Sequence, residues 1–137
     1  MLIRKLLKIL NEEQECVWSG KELKGNNYDV NHILPYSIWV NNDLWNMLPT
    51  DRRINQQHKK AKIPTRKLIE NRSDIIISYW INYQQAMPLL FKSQIEVALG
   101  GNNQSLDTAL KSLCKKSDYL IHDRGHEAFS FKYKTLS

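Results

Sequence analysis

Hydrophobic positions along the chain fall into different rhythms. Leu2, Ile3, Leu6, Leu7, Ile9 and Leu10 recur at helical spacing with Arg4, Lys5 and Lys8 opposite them. This predicts a short amphipathic helix over 1–14 whose apolar stripe packs on its own domain. Glu15 to Trp18 reads as a short strand. Turn signals at Ser19-Gly20 and at 24–27 flank Leu23, and a second strand is expected from Tyr28 to His32. The two are expected to pair as a hairpin, which Pro35 closes because proline cannot donate to a ladder.

Residues 36–40 read as loop carrying Trp39, and Asn41-Asn42-Asp43 as a turn or cap cluster. Leu44-Trp45-Asn46 leads to Met47-Leu48-Pro49, where the piece is expected to end. Thr50 or Asp51 is a good N-cap for a helix through Ile54 and Asn55 to about Lys60, so the predicted order is strand, strand, helix. Beyond Thr65, Leu68, Ile69, Ile75, Ile76, Tyr79, Trp80 and Tyr83 predict one long helix, or two broken near Asn71-Arg72-Ser73. Pro88 suits a first helical turn, Gly100-Gly101 a stop, and Ser105 a cap for a helix burying Leu106, Leu110, Leu113 and Cys114. Phe129, Phe131 and Tyr133 alternate with polar residues, as in a short strand.

The 137 residues are enough for one domain with a modest core and a helical extension. The longest apolar runs are a few residues, and Arg4, Lys5 and Lys8 interrupt the first, so neither a signal peptide nor a membrane span is expected. Twenty Lys+Arg against 14 Asp+Glu give a net charge of +6. A surplus of this size suits a polyanionic partner, since each cation placed on a phosphate releases counterions. Cys16 and Cys114 lie far apart without paired spacing and are read as reduced thiols of a cytoplasmic protein.

The stretch 28–64 concentrates the chemistry. Phosphodiester hydrolysis needs a base to take a proton from water, a cation to hold phosphate oxygens, and a rigid frame for both. His32 can accept a proton near neutral pH. Hard divalent cations take oxygen ligands and keep several waters, and Asn31 and Asn55 each offer an amide oxygen. His122 and His126 stand four apart, but Gly125 and a loop setting argue against a metal pair.

Asn31-His32-Ile33-Leu34-Pro35, Leu44-Trp45-Asn46-Met47-Leu48-Pro49-Thr50, and Asn55 with Lys59 and Ile63-Pro64 together resemble the HNH nucleases. His32, Asn46 and Asn55 have spacings similar to the family's three signature positions, and the resemblance covers roughly 15–65. It implies an α+β fold with a ββα-metal core and an α-helical C-terminal extension, divided as 1–14, 15–65 and 66–137.

It also implies that His32 is the general base, Asn31 and Asn55 are metal ligands, and Asn46 orients the loop behind His32. Asp29 and His58 are further metal candidates, and the expected cation is Mg²⁺, with Mn²⁺ or another divalent ion as alternatives. Cleavage would leave 5′-phosphate and 3′-hydroxyl ends. Arg52, Arg53, Lys59, Lys60 and Lys62 are expected at the phosphates of DNA, with RNA left open. Restriction, defence or a mobile element is the implied setting, with a homodimer or larger defence complex as candidate assemblies. Two departures matter: Asn31 stands where many members carry Asp or His, and the paired cysteines that hold a structural zinc are missing, so no zinc is expected. The competing expectation is an inactive nucleic-acid-binding module of the same fold.

Overall fold

The computed structural model describes residues 6–7, 14–100 and 105–131. Most of the expected N-terminal helix, Gly101 and Tyr133 lie outside that set. Leu7 is buried in the same core as the rest of the chain.

The described elements mix helices with three two-stranded sheets, an α+β arrangement. β1 (Gln14–Glu15) pairs antiparallel with β2 (Glu22–Leu23). Between them Gly20, at φ +74°, completes a turn in which its N–H donates to the Cys16 carbonyl. A Cβ at Gly20 would meet Arg72 Nη2 at 2.8 Å, so both backbone conformation and space favour glycine there.

The expected hairpin between the strand near residue 15 and the strand ending at His32 does not form. β3 (Asp29–His32) pairs instead with β4 (Met47–Thr50), in the register Asp29 to Thr50 and His32 to Met47. Pro49 lies opposite Val30 inside this pair. It is tolerated because its carbonyl, not a missing N–H, is what the neighbouring segment uses: Val17 N–H donates to Pro49 O at 3.0 Å.

Helix α1 (Ile54–Lys59), wound in wide π-type turns, follows β4. The Asp51 carboxylate accepts from the Arg53 and Ile54 amides at its start, as the cap reading expected. β5 (Ile63–Pro64) then pairs in parallel with β6 (Ala128–Phe129), bringing the far end of the chain back to the end of α1.

The helical part comprises α2 (Arg66–Asn71), α3 (Ser73–Ala86), α4 (Pro88–Leu99) and α5 (Leu106–Asp118), which continues as a π-type turn through Tyr119–Asp123. The break expected near Asn71-Arg72-Ser73 falls at Arg72. Thr65 and Ser105 cap α2 and α5 through their hydroxyls, Pro88 starts α4, and Gly100 at φ +88° ends it.

Ile76, Tyr79, Trp80 and Tyr83 recur at helical spacing, and all are buried on one face of α3. Three of them also anchor the strands. Tyr79 Oη donates to Glu15 O and accepts from Glu15 N, Trp80 Nε1 donates to Trp45 O, and Tyr83 Oη donates to Met47 O at 2.6 Å. Gln94 on α4 accepts from Leu44 N, and Arg72 Nε donates to Val17 O. The helices thus satisfy backbone groups that the short sheets leave without ladder partners.

Candidate active site

The helix α1 lies along β3. Asn55 and Lys59, four apart, share one helix face. Asn55 Nδ2 donates to Asp29 Oδ2 at 3.0 Å, and Lys59 Nζ donates to the His32 carbonyl at 2.8 Å. Helix and strand therefore run in the same sense, fixed to each other at both ends of β3.

His32 emerges at the end of β3, partly buried. Its Nε2 lies 2.8 Å from Asn42 Oδ1, and its ring meets Tyr36 edge-on with centroids 5.8 Å apart. With the Asn42 amide oxygen as the acceptor, the ring proton sits on Nε2 and Nδ1 is the basic nitrogen.

The loop carrying Asn42 and Tyr36 is closed by Asn46, which is fully buried. Its Oδ1 accepts from Leu34 N at 2.9 Å, and its Nδ2 donates to the carbonyls of Leu34 and Asn41, each at 3.1 Å. Its own carbonyl accepts from Ile33 N. One asparagine thus joins the chain just after His32 to the chain just before β4.

Asp29 meets one of the other groups expected to bind a cation, Asn55. Besides Asn55, its carboxylate accepts from Gln56 Nε2 at 3.2 Å and pairs with Arg52 Nε at 3.3 Å. Asn31 lies two positions along the same strand and so on the same face as Asp29. Only 4% of it is exposed, and its Nδ2 has no hydrogen-bond partner among the described residues. An unpartnered buried amide atom is uncommon, and half a turn about the side chain exchanges its nitrogen for its oxygen.

No three His, Cys, Asp or Glu side chains cluster for a metal among the described residues. A cation here would rest on one carboxylate and two amides, an all-oxygen set that suits a hard divalent ion. In donor chemistry Asp29, Asn31 and Asn55 suit such an ion; the structure joins Asn55 to Asp29 and leaves the Asn31 amide nitrogen without a partner among the described residues. His58 is exposed and is not drawn into this group.

The expected phosphate-binding set divides. Arg53 and Lys60 are exposed. Arg52 is tied to Asp29 and to Asn26 and Asn27, and Lys62 pairs with Glu127 at 3.5 Å. Lys59 is a correction. It is completely buried rather than part of a solvated face, and burial lowers its pKa from 10.5 to about 7. Its ammonium serves the His32 backbone instead of a surface anion.

Asn42 and the buried role of Lys59 are the features that sequence reasoning missed. The signal for Asn42 was its place in a polar cluster between His32 and Asn46, two residues whose backbones must meet if Asn46 closes the loop.

The family model described as HNH endonuclease matches residues 16–65. Over these 50 residues the chain is similar to the HNH endonucleases. No curated protein and no solved structure matches the chain. The HNH segment begins at Cys16, which is buried, with its Sγ 3.3 Å from Thr50 Oγ1 and accepting from Asp51 N at 3.3 Å. Hydrogen bonds through one thiol thus join the turn after β1 to the start of α1. The match points to a nuclease-type function for this segment.

Proposed function

We propose that the protein is a metal-dependent DNA endonuclease whose β3, β4 and α1 form a ββα-metal site. The observation that carries the reading is the Asn55–Asp29 hydrogen bond. It brings a candidate ligand of the helix against one on the strand that carries His32, across 26 positions of sequence. Asp29, Asn31 and Asn55 would hold a Mg²⁺ or similar ion, which would neutralise phosphate charge and stabilise the leaving alkoxide.

His32 takes the proton from the attacking water at Nδ1 as the water oxygen bonds to phosphorus and the P–O3′ bond breaks. The 3′ oxygen leaves with the bonding pair and takes a proton from solvent water, so the products are 5′-phosphate and 3′-hydroxyl ends. Asn42 holds the imidazole with Nδ1 outward, Lys59 fixes the backbone on which the ring is mounted, and Asn46 holds the loop that supplies Asn42. Arg53 and Lys60 are the cations left to meet the DNA backbone. Restriction, defence or a mobile element is the setting we infer.

A second reading has its own observation. Asn31 is neutral, and Arg52 already balances the Asp29 carboxylate, so a domain of this family that binds nucleic acid without cutting it is the alternative. Incubation with supercoiled plasmid and Mg²⁺ separates the two. The nuclease reading expects nicked or linear product that EDTA abolishes and that Asn31→Asp increases. Retention of DNA without cleavage, in Mg²⁺ and Mn²⁺ and in Asn31→Asp, would support the binding module instead.

A further inference from the structure

A cavity of about 300 Å³ lies where the loop between β3 and β4 meets the far end of α5. Trp39 comes from the loop; Lys116, Tyr119, Arg124 and His126 come from α5 and the turn beyond it. The aromatic parts are presented differently. Trp39 is fixed against the buried Trp45, with centroids 5.4 Å apart, while Tyr119 is 50% exposed.

Lys116 Nζ sits 4.7 Å from the centre of the Trp39 ring. Neither Lys116 nor Arg124 makes an ion pair with a carboxylate among the described residues. The cavity lining contains no Asp or Glu, and neighbouring Asp118 is taken by Arg66 at 2.6 Å. An exposed aromatic ring beside cations that no carboxylate neutralises is what an unpaired nucleotide requires: a surface for the base and charge for the phosphate.

We infer that this cavity binds one unpaired nucleotide of the nucleic-acid strand, with its base on Tyr119 and its phosphate on Lys116 and Arg124. The inference rests on the nuclease reading for what brings a strand to this face. The placement follows from chain geometry. Trp39 and Asn42 are three residues apart, at most about 11 Å between Cα atoms, and Asn42 holds His32. The subsite therefore lies within a few nucleotides of the bond that His32 addresses. The helical extension would then act on the substrate as well as supporting the strands, favouring targets with a frayed, flipped or single-stranded nucleotide at that position.

The test measures binding by fluorescence anisotropy in EDTA, in a His32→Ala background, with a labelled single-stranded DNA oligonucleotide and a duplex of the same sequence. Tyr119→Ala is expected to weaken single-strand binding about ten-fold, with Tyr119→Phe close to the parent. Arg124→Ala is expected to lower the slope of log K against log salt by about one. Arg124 is exposed, so the second variant carries the test if Tyr119→Ala melts early. Unchanged single-strand affinity and salt slope in both variants would overturn the inference, as would failure of the parent to bind the single strand at all. Magnesium-dependent cutting of a duplex by the unsubstituted protein judges the nuclease reading separately. Binding that needs Tyr119 without any cutting would leave the subsite standing and remove the nuclease.

Discussion

Asn46 makes three side-chain hydrogen bonds, two of them buried, and each partner is a backbone group of the loop behind His32. Asn46→Ala strands those groups away from water, and a buried unsatisfied polar group costs about 1–3 kcal/mol. The variant is expected to lose about 3 kcal/mol of stability in urea unfolding, with relaxation of the loop limiting the sum. Lys59 gives a pH signature. Its folded pKa is near 7 against 10.5 when unperturbed, because burial disfavours the charged form. Between those values the unfolded chain holds a proton that the folded protein lacks. Stability from this group therefore grows as pH rises from about 7 towards 10.5 and is lost as pH falls through 7, with a slope of up to about 1.4 kcal/mol per pH unit. Denaturation curves across that range should show the rise, and Lys59→Met should flatten it. Neither role is visible in composition alone. A lysine in a basic run normally stays in water, and only the meeting of α1 with the end of β3 makes this one internal.

Among the elements, α3 does the most to hold the strands in place. Tyr79, Trp80 and Tyr83 were legible as an apolar stripe, because helical spacing depends on local sequence alone. Their hydrogen bonds to Glu15, Trp45 and Met47 were not legible, since those partners are 35 or more positions away. Tyr83→Phe keeps the ring and removes the donor to Met47 O. It is expected to cost about 1–2 kcal/mol with an unchanged denaturant m-value. The helices of the C-terminal half, their caps and their break at Arg72 all follow from local signals. The strand pairing does not. Pro49 counts against a strand in any local reading, and the turn signals at 24–27 pointed to a hairpin with the preceding strand. What selects β4 as the partner of β3 is the closure of the intervening loop by Asn46, a contact between residues twelve positions apart.

On the scale of the whole molecule, three cations of the expected phosphate-binding set are engaged internally: Lys59 is buried, Arg52 serves Asp29, and Lys62 faces Glu127. Of these, only the burial of Lys59 takes from the net charge of +6, because each ion pair holds one charge of either sign. Among the described residues no helix is long and apolar enough to cross a membrane. The spacing of His32, Asn46 and Asn55 made the family legible in the sequence. The orientation of His32 by Asn42 and the convergence of Asn55 on Asp29 needed the fold. The central claim is that His32 removes the proton from water at a site that the rest of the chain holds rigid. The direct measurement is the magnesium-dependent cleavage rate at saturating DNA for the parent and His32→Ala, with DNA affinity measured in parallel. General-base catalysis contributes typically 10²–10⁴-fold, so the rate should fall by at least about 100-fold while affinity stays within about two-fold. Cleavage in His32→Ala at the parental rate, with the same dependence on Mg²⁺, would contradict the account.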